Sequence, residues 1–251
     1  MNRAGRQIRK GFWLGFTLIE LLIVIAIVAL LLSILAPSLG KARIMALRLK
    51  CAHNLKQINL AVLLYLDANN DTYPCAQDPV SGDPASPYWL WMGRGWRGFV
   101  EPYLGGYIDV NNPSVLFCPQ DPVGKDEYES TSYAYSMAFY HSPDQIDSIT
   151  SISDTYDIAW MPSVAKQSIK QRSSDVARPS GKIIVGEWLS NHMEIDGKDP
   201  GWWGWQGARN YLFVDGQVAF LKATEVRTAN DANPNPNLTK HGIKGVDWPP
   251  L

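Results

Sequence analysis

Residues 16–36 read FTLIELLIVIAIVALLLSILA, and this run constrains the chain more than any other part of it. Twenty-one residues give a helix of about 31 Å at ~1.5 Å per residue, enough to cross a hydrocarbon core of ~30 Å. A secretory h-region spans only ~7–15 residues, so the length favours a membrane anchor. The first ten residues carry Arg3, Arg6, Arg9 and Lys10 and no acid. A basic block before an apolar run keeps the N-terminus cytoplasmic and sends the following chain outward.

A bare anchor does not explain Glu20, the one charged residue between Lys10 and Lys41. A carboxylate near one end of a spanning segment costs ~2–3 kcal/mol at full depth and less near the interface, so it needs a partner. Cleavage between Gly15 and Phe16 would create an α-ammonium four residues before Glu20. That amine would neutralise its own Glu20 or one on a neighbouring subunit.

The apolar pattern continues past Pro37. Leu39, Ala42, Ala46, Leu49, Ala52, Leu55, Ile58, Val62 and Leu66 recur at intervals of three and four, one helical stripe. Lys41, Arg43, Arg48, Lys50 and Lys56 form its solvated face. The spacing predicts a helix from about Phe16 to Asp67, roughly 75–80 Å long at ~1.5 Å per residue. Pro37 removes one hydrogen bond and should kink it. Asn69, Asn70 and Pro74 terminate it. Asp67-x-Asn69-x-Asp71 lacks the glycine and terminal Glu of a calcium loop, so it reads as a helix exit.

From Pro74 onward turn formers and aromatics replace the Leu/Ala/Lys pattern, and no long helical stripe returns. Asp215-Gly216 between two alternating runs signals a hairpin. A two-residue loop would pair Phe213 with Val218 and Tyr211 with Phe220 as one apolar face, with Leu212, Val214, Gln217 and Ala219 on the other. Ile183–Glu187 reads as a buried strand, and Leu116–Pro119 as a strand ending at a Cys-Pro turn. Asp144–Ser174 is weakly patterned, a short helix with loops. The Asn- and Pro-rich tail after Ala229 reads as extended or disordered. The expected fold class is α+β: a long N-terminal helix, half membrane-spanning and half packed on the domain, then an antiparallel β-rich domain.

A formal net charge of -1 over 251 residues argues against nucleic acid as a partner. Tryptophans cluster at Trp89, Trp91 and Trp96, and again at Trp202, Trp203 and Trp205. The second cluster is a candidate binding surface, although large aromatics more often fill the core. No H-E-x-x-H, G-x-S-x-G or Walker loop occurs, and Ser163-Val-Ala-Lys166 lacks companion motifs, so no catalytic residues and no enzyme are expected. Cys51, Cys75 and Cys118 cannot all pair within one chain. No C-x-x-C or Cys/His cluster suggests zinc, so no metal is expected. One bridge with a third thiol, and three unpaired thiols, both stay open.

Arg9-Lys10 followed by Gly15-Phe16-Thr17-Leu18-Ile19-Glu20 resembles the prepilin peptidase site of type IV pilins and type II secretion pseudopilins. The resemblance implies a cut after Gly15, methylation of Phe16, an assembly role for Glu20, and a proline at the twenty-second mature position, which is Pro37. Cys51-Ala-His-Asn-Leu-Lys-Gln, the Tyr65 to Pro74 exit, Val115-Leu-Phe-Cys118-Pro119, Ser132-Tyr133, Arg178-Pro179-Ser180 and Asp215-Gly216 are similar, in order, to a bacterial subgroup of pilin-like proteins. Many members carry a histidine ten residues before the Asp-Gly; here it is Trp205. Cys51 and Cys118 hold the positions that recur in that subgroup, which implies Cys51–Cys118 as the bridge if one forms; Cys75–Cys118 is the alternative. As in some related pseudopilins, Glu187 and Asp215 with loop oxygens are candidates for calcium, and no other cofactor is implied.

The expected organisation is a leader at 1–15, a transmembrane and assembly helix at 16–36, its amphipathic continuation at 37–68, an exported domain at 69–229 and a tail at 230–251. The expected function is a pseudopilus or type IV pilus-like subunit, with prepilin peptidase, other pilin-like subunits and the inner membrane as partners. The alternative is a tethered glycan- or protein-binding module that uses the same export route.

Overall fold

The computed structural model describes residues 17–75, 93–105, 115–121, 131–151 and 168–249. The chain divides into two compact units, Met1–Ile44 and Met45–Leu251, and helix α1 (Leu18–Ala68) contributes to both. Pro37 lies inside that helix. In the first unit every described residue is exposed, including Leu21, Leu22, Ile25, Leu31 and Ile34. A helix that is apolar all round needs lipid or neighbouring helices to cover it.

In the second unit α1 buries Cys51, Asn54, Leu55, Ile58, Ala61, Val62 and Leu66. The predicted stripe is right from Leu55 to Leu66 and wrong upstream. Leu39 and Leu49 are exposed, and Cys51 with Asn54 faces inward instead. Leucines populate both sides of this stretch, so periodicity alone could not select the buried one. The helix ends as expected. Asn69 donates from Nδ2 to the Tyr65 carbonyl at 2.7 Å, and Asn70 and Asp71 take left-handed φ values of 54° and 56°.

A four-stranded antiparallel sheet runs in the order β1 (Tyr133–Tyr135), β2 (Ile183–Glu187), β3 (Ala208–Phe213) and β4 (Val218–Lys222). This is the expected α+β architecture. β2 is buried along its whole length, as its β-branched composition predicts. One sheet face, with Tyr133, Tyr135, Val185 and Leu212, shares a core with α1; Ala134, Ile183, Tyr211 and Phe213 pack on the other side with Trp188 and Trp202. Two short helices flank the sheet, α2 (Arg97–Val100) and α3 (Pro143–Asp147). Ser142 and Gln145 close a reciprocal cap on α3.

Three expectations need correction. The hairpin register is shifted by one: Leu212 faces Val218, Tyr211 faces Ala219 and Asn210 faces Phe220. The Gly216 N–H donates to the Phe213 carbonyl at 2.9 Å and the Phe213 N–H to Gln217 at 2.8 Å, with Gly216 at φ +83°. That is a three-residue loop with its glycine in the left-handed region, not a two-residue type I′ turn. A one-residue slip exchanges faces, so Leu212 and Val218 join the α1 side while Tyr211 and Phe213 join the other. Residues 116–119 form turns rather than a strand. The tail after Ala229 is folded, with Asn235, Asn237, Leu238, Thr239, Ile243 and Asp247 all buried. Its asparagines and threonine bond backbone inside the fold: Asn237 Oδ1 accepts from the Met137 N–H at 3.2 Å, and the Pro236 carbonyl accepts from Ser136 at 2.6 Å. Polar composition here satisfies interior backbone instead of soliciting water.

Candidate functional site

Thr17 and Glu20 start α1 with a reciprocal cap. The Thr17 N–H and hydroxyl donate to Glu20 Oε2 at 2.9 and 2.8 Å, and the Glu20 N–H donates to Thr17 Oγ1 at 3.3 Å. Thr-x-x-Glu is a capping-box sequence, and it gives two orphan N–H groups of the first turn an acceptor. Glu20 therefore has a local partner in Thr17, which the sequence reading did not assign. Both residues that make the cap lie after Phe16. Gly15 and Phe16 lie outside the described residues. From this cap runs a helix long and apolar enough to cross a membrane, with the apolar side chains of its N-terminal part, Leu18 to Leu39, exposed.

This start of α1 coincides with a known motif. Residues 14–36 match the prokaryotic N-terminal methylation motif. The methylation motif is typical of pilin-like and pseudopilin-like proteins, and its family is structural and non-catalytic, in agreement with the expectation of no enzyme. The match ends at Ala36, one residue before Pro37. No curated protein and no solved structure matches the chain.

The second unit holds a different group of side chains. Cys51 of α1, Cys118 of the Cys-Pro turn, Glu187 at the end of β2 and His192 in the following loop are all buried. One donor atom from each lies within 4.8 Å of all the others. His192 Nε2 is 2.9 Å from Glu187 Oε1 and 3.6 Å from Cys118 Sγ, and its Nδ1 meets Gln120 Oε1 at 2.6 Å. Asn210 donates to Glu187 twice, from its backbone N–H at 2.8 Å and from Nδ2 at 3.0 Å.

The surroundings bias these groups. Hydrogen bonds from Cys51, and also from His192, hold the Cys118 thiol below the usual thiol range against the opposing effect of burial. The same bond to Cys118 pushes the Cys51 thiol up, and burial adds to it. Burial would lower His192, but its bonds to Cys118 and Glu187 outweigh burial and raise it.

Cys51, Cys75 and Cys118 are all thiols in this structure. The two cysteines of the bridge that the resemblance implies, Cys51 and Cys118, meet here as hydrogen-bonded thiols. The calcium pairing is corrected. Ile183 at the start of β2 pairs with Phe213 beside the Asp215 turn, which puts Glu187 at the far end of the strand from Asp215. Asp215 spends one carboxylate oxygen on the Gln217 N–H at 2.9 Å. The sequence reading missed this cluster because 67 residues separate Cys51 from Cys118. The local signal was Glu187-x-x-x-x-His192, which gains meaning only beside the two cysteines.

The tryptophan surface is also revised. Trp202 is fully buried, with its ring centroid 6.3 Å from that of Trp188. Trp203 is half-buried and edge-on to Trp188 at 5.3 Å, and Trp205 is exposed. Trp96 is core and donates to the Tyr133 carbonyl at 3.1 Å. Trp89, Trp91, Ser163 and Lys166 lie outside the described residues.

Proposed function

We propose that the chain is a pilin-like structural subunit, cut by prepilin peptidase after Gly15 and N-methylated at Phe16. Its assembled form is a type II secretion pseudopilus or a type IV pilus-like filament. The observation that carries this reading is the coincidence of the methylation motif with a capped, exposed, membrane-length helix. Residues 1–15 serve as a cytoplasmic leader, 16–36 span the inner membrane, and 37–68 continue the helix into an exported domain. The positive flank sets that orientation.

Assembly exchanges lipid for neighbouring helices around the same apolar surface. Glu20 then meets the Phe16 amine of the next subunit, an attraction made stronger by low local dielectric. The Thr17 cap holds the carboxylate at the helix start, where the macrodipole also favours negative charge. Because Thr17 and Glu20 both follow the cut, cleavage keeps both cap residues on the mature chain.

Mass spectrometry of the mature N-terminus tests processing: an N-methylated phenylalanine is expected, and an intact arginine-rich leader overturns the reading. Glu20→Val is predicted to leave membrane insertion unchanged and to reduce filament yield by tenfold or more; normal filaments from that variant would sink the pairing. The binding-module alternative loses its central residue, since Trp202 is buried.

A further inference from the structure

We propose that Cys51, Cys118, Glu187 and His192 bind one zinc ion in a closed structural centre that ties α1 to the sheet. The argument begins with donor chemistry. Nδ1 of His192 faces the Gln120 carbonyl oxygen at 2.6 Å, an acceptor, so the ring proton belongs there. Nε2 is left facing Glu187 Oε1 at 2.9 Å and Cys118 Sγ at 3.6 Å. Nε2, a Glu187 oxygen and the two cysteine sulfurs thus converge on one point shut off from water, where a single cation can take the place of the protons they share. Among the described residues the one ion-pair partner of Glu187 is His192, and neither side chain is exposed at all.

The spacing suits the ion. Tetrahedral zinc with bonds of about 2.0–2.3 Å has donor–donor edges of about 3.3–3.8 Å. Here two edges are 2.9 and 3.6 Å, and none exceeds 4.8 Å. Two thiols, an imidazole and a carboxylate suit zinc better than calcium or magnesium, which take oxygen. Four protein donors leave no open position, the mark of a structural rather than a catalytic centre.

An outer layer of hydrogen bonds supports every ligand, as metal sites require. Gln120 receives the His192 proton, and its backbone N–H faces the Cys118 sulfur. The Tyr133 hydroxyl bonds Cys51 and is itself held by Asn54 at 3.3 Å. Asn210 fixes both Glu187 oxygens. On uptake of Zn2+ the thiols release their protons to solvent, and no oxidant or reductant takes part.

The full-length chain, purified in detergent without chelator, is assayed by elemental mass spectrometry and, after chelation, reloaded with zinc or cobalt(II) under reductant. The expected result is one equivalent of metal per chain, with the cobalt form showing the intense visible bands and thiolate charge-transfer absorption of a tetrahedral site. Cys118→Ser and His192→Ala are expected to lower occupancy tenfold or more, whereas Cys75→Ser keeps it. The wild-type cobalt spectrum guards against variants that merely misfold. Failure of the reduced wild-type chain to take up either metal overturns the proposal. So does recovery of a Cys51–Cys118 disulfide from chain isolated without reductant.

Discussion

Lys182 has no exposed surface, yet its ammonium lies 3.2 Å from Asp247 and 2.5 Å from the Thr239 hydroxyl. Burial pushes its pKa below the ordinary lysine value, and Asp247 opposes that push. Asp247 also accepts the Ile183 N–H at 2.8 Å, so one carboxylate serves a cation and a strand. Removing either member of a buried pair strands the other charge without a partner, whereas replacing both by apolar groups of similar volume is far less costly. We predict that Asp247→Ala and Lys182→Met each destabilise the fold by about 3–5 kcal/mol. Thermal unfolding followed by near-UV circular dichroism compares the two. None of this was legible in the sequence, because a lysine and an aspartate 65 residues apart carry no pattern. Thr17 and Glu20, three residues apart, are different in kind: Thr-x-x-Glu is a local capping-box signal, although the sequence reading did not assign it.

At the scale of elements, legibility followed sequence separation. α1 was read almost to its ends, since its start, its length and its exit at Asn69 are local signals. The inward face of its first domain-packing turns was not, because Leu49 and Cys51 are both apolar and only tertiary contact decides between them. The hairpin was placed correctly and paired one residue out. Asp-Gly serves both two-residue and three-residue loops, and the choice depends on where Phe213 finds its partner. Gly216 is the consequence of that choice. An added Cβ would lie 2.7 Å from the Asn59 amide, the movable end of a side chain, so backbone strain at φ +83° dominates. Gly216→Ala is predicted to cost about 1–2 kcal/mol, the price of a left-handed residue with a Cβ. Equilibrium denaturation checks it, and an unchanged midpoint would mean the loop relaxes to another turn.

For the whole molecule, the membrane-length helix and the α+β class were readable, and the fold's closure was not. The four ligand residues come from α1, a turn, a strand end and a loop, so their meeting is a property of the assembled domain alone. The tail shows the same dependence. Residues 230–249 supply Asn235, Asn237, Thr239 and Asp247 to the interior. A chain ending at Ala229 is predicted to lose its cooperative thermal transition, and retention of that transition would return the tail to a dispensable role. Asp247 pairs with Lys182 and caps the open N–H of β2, and it reaches them only after almost all of the chain has been made. The carboxylate near the far end of the sequence thus bolts a cation and a strand start that lie 65 and 64 residues before it.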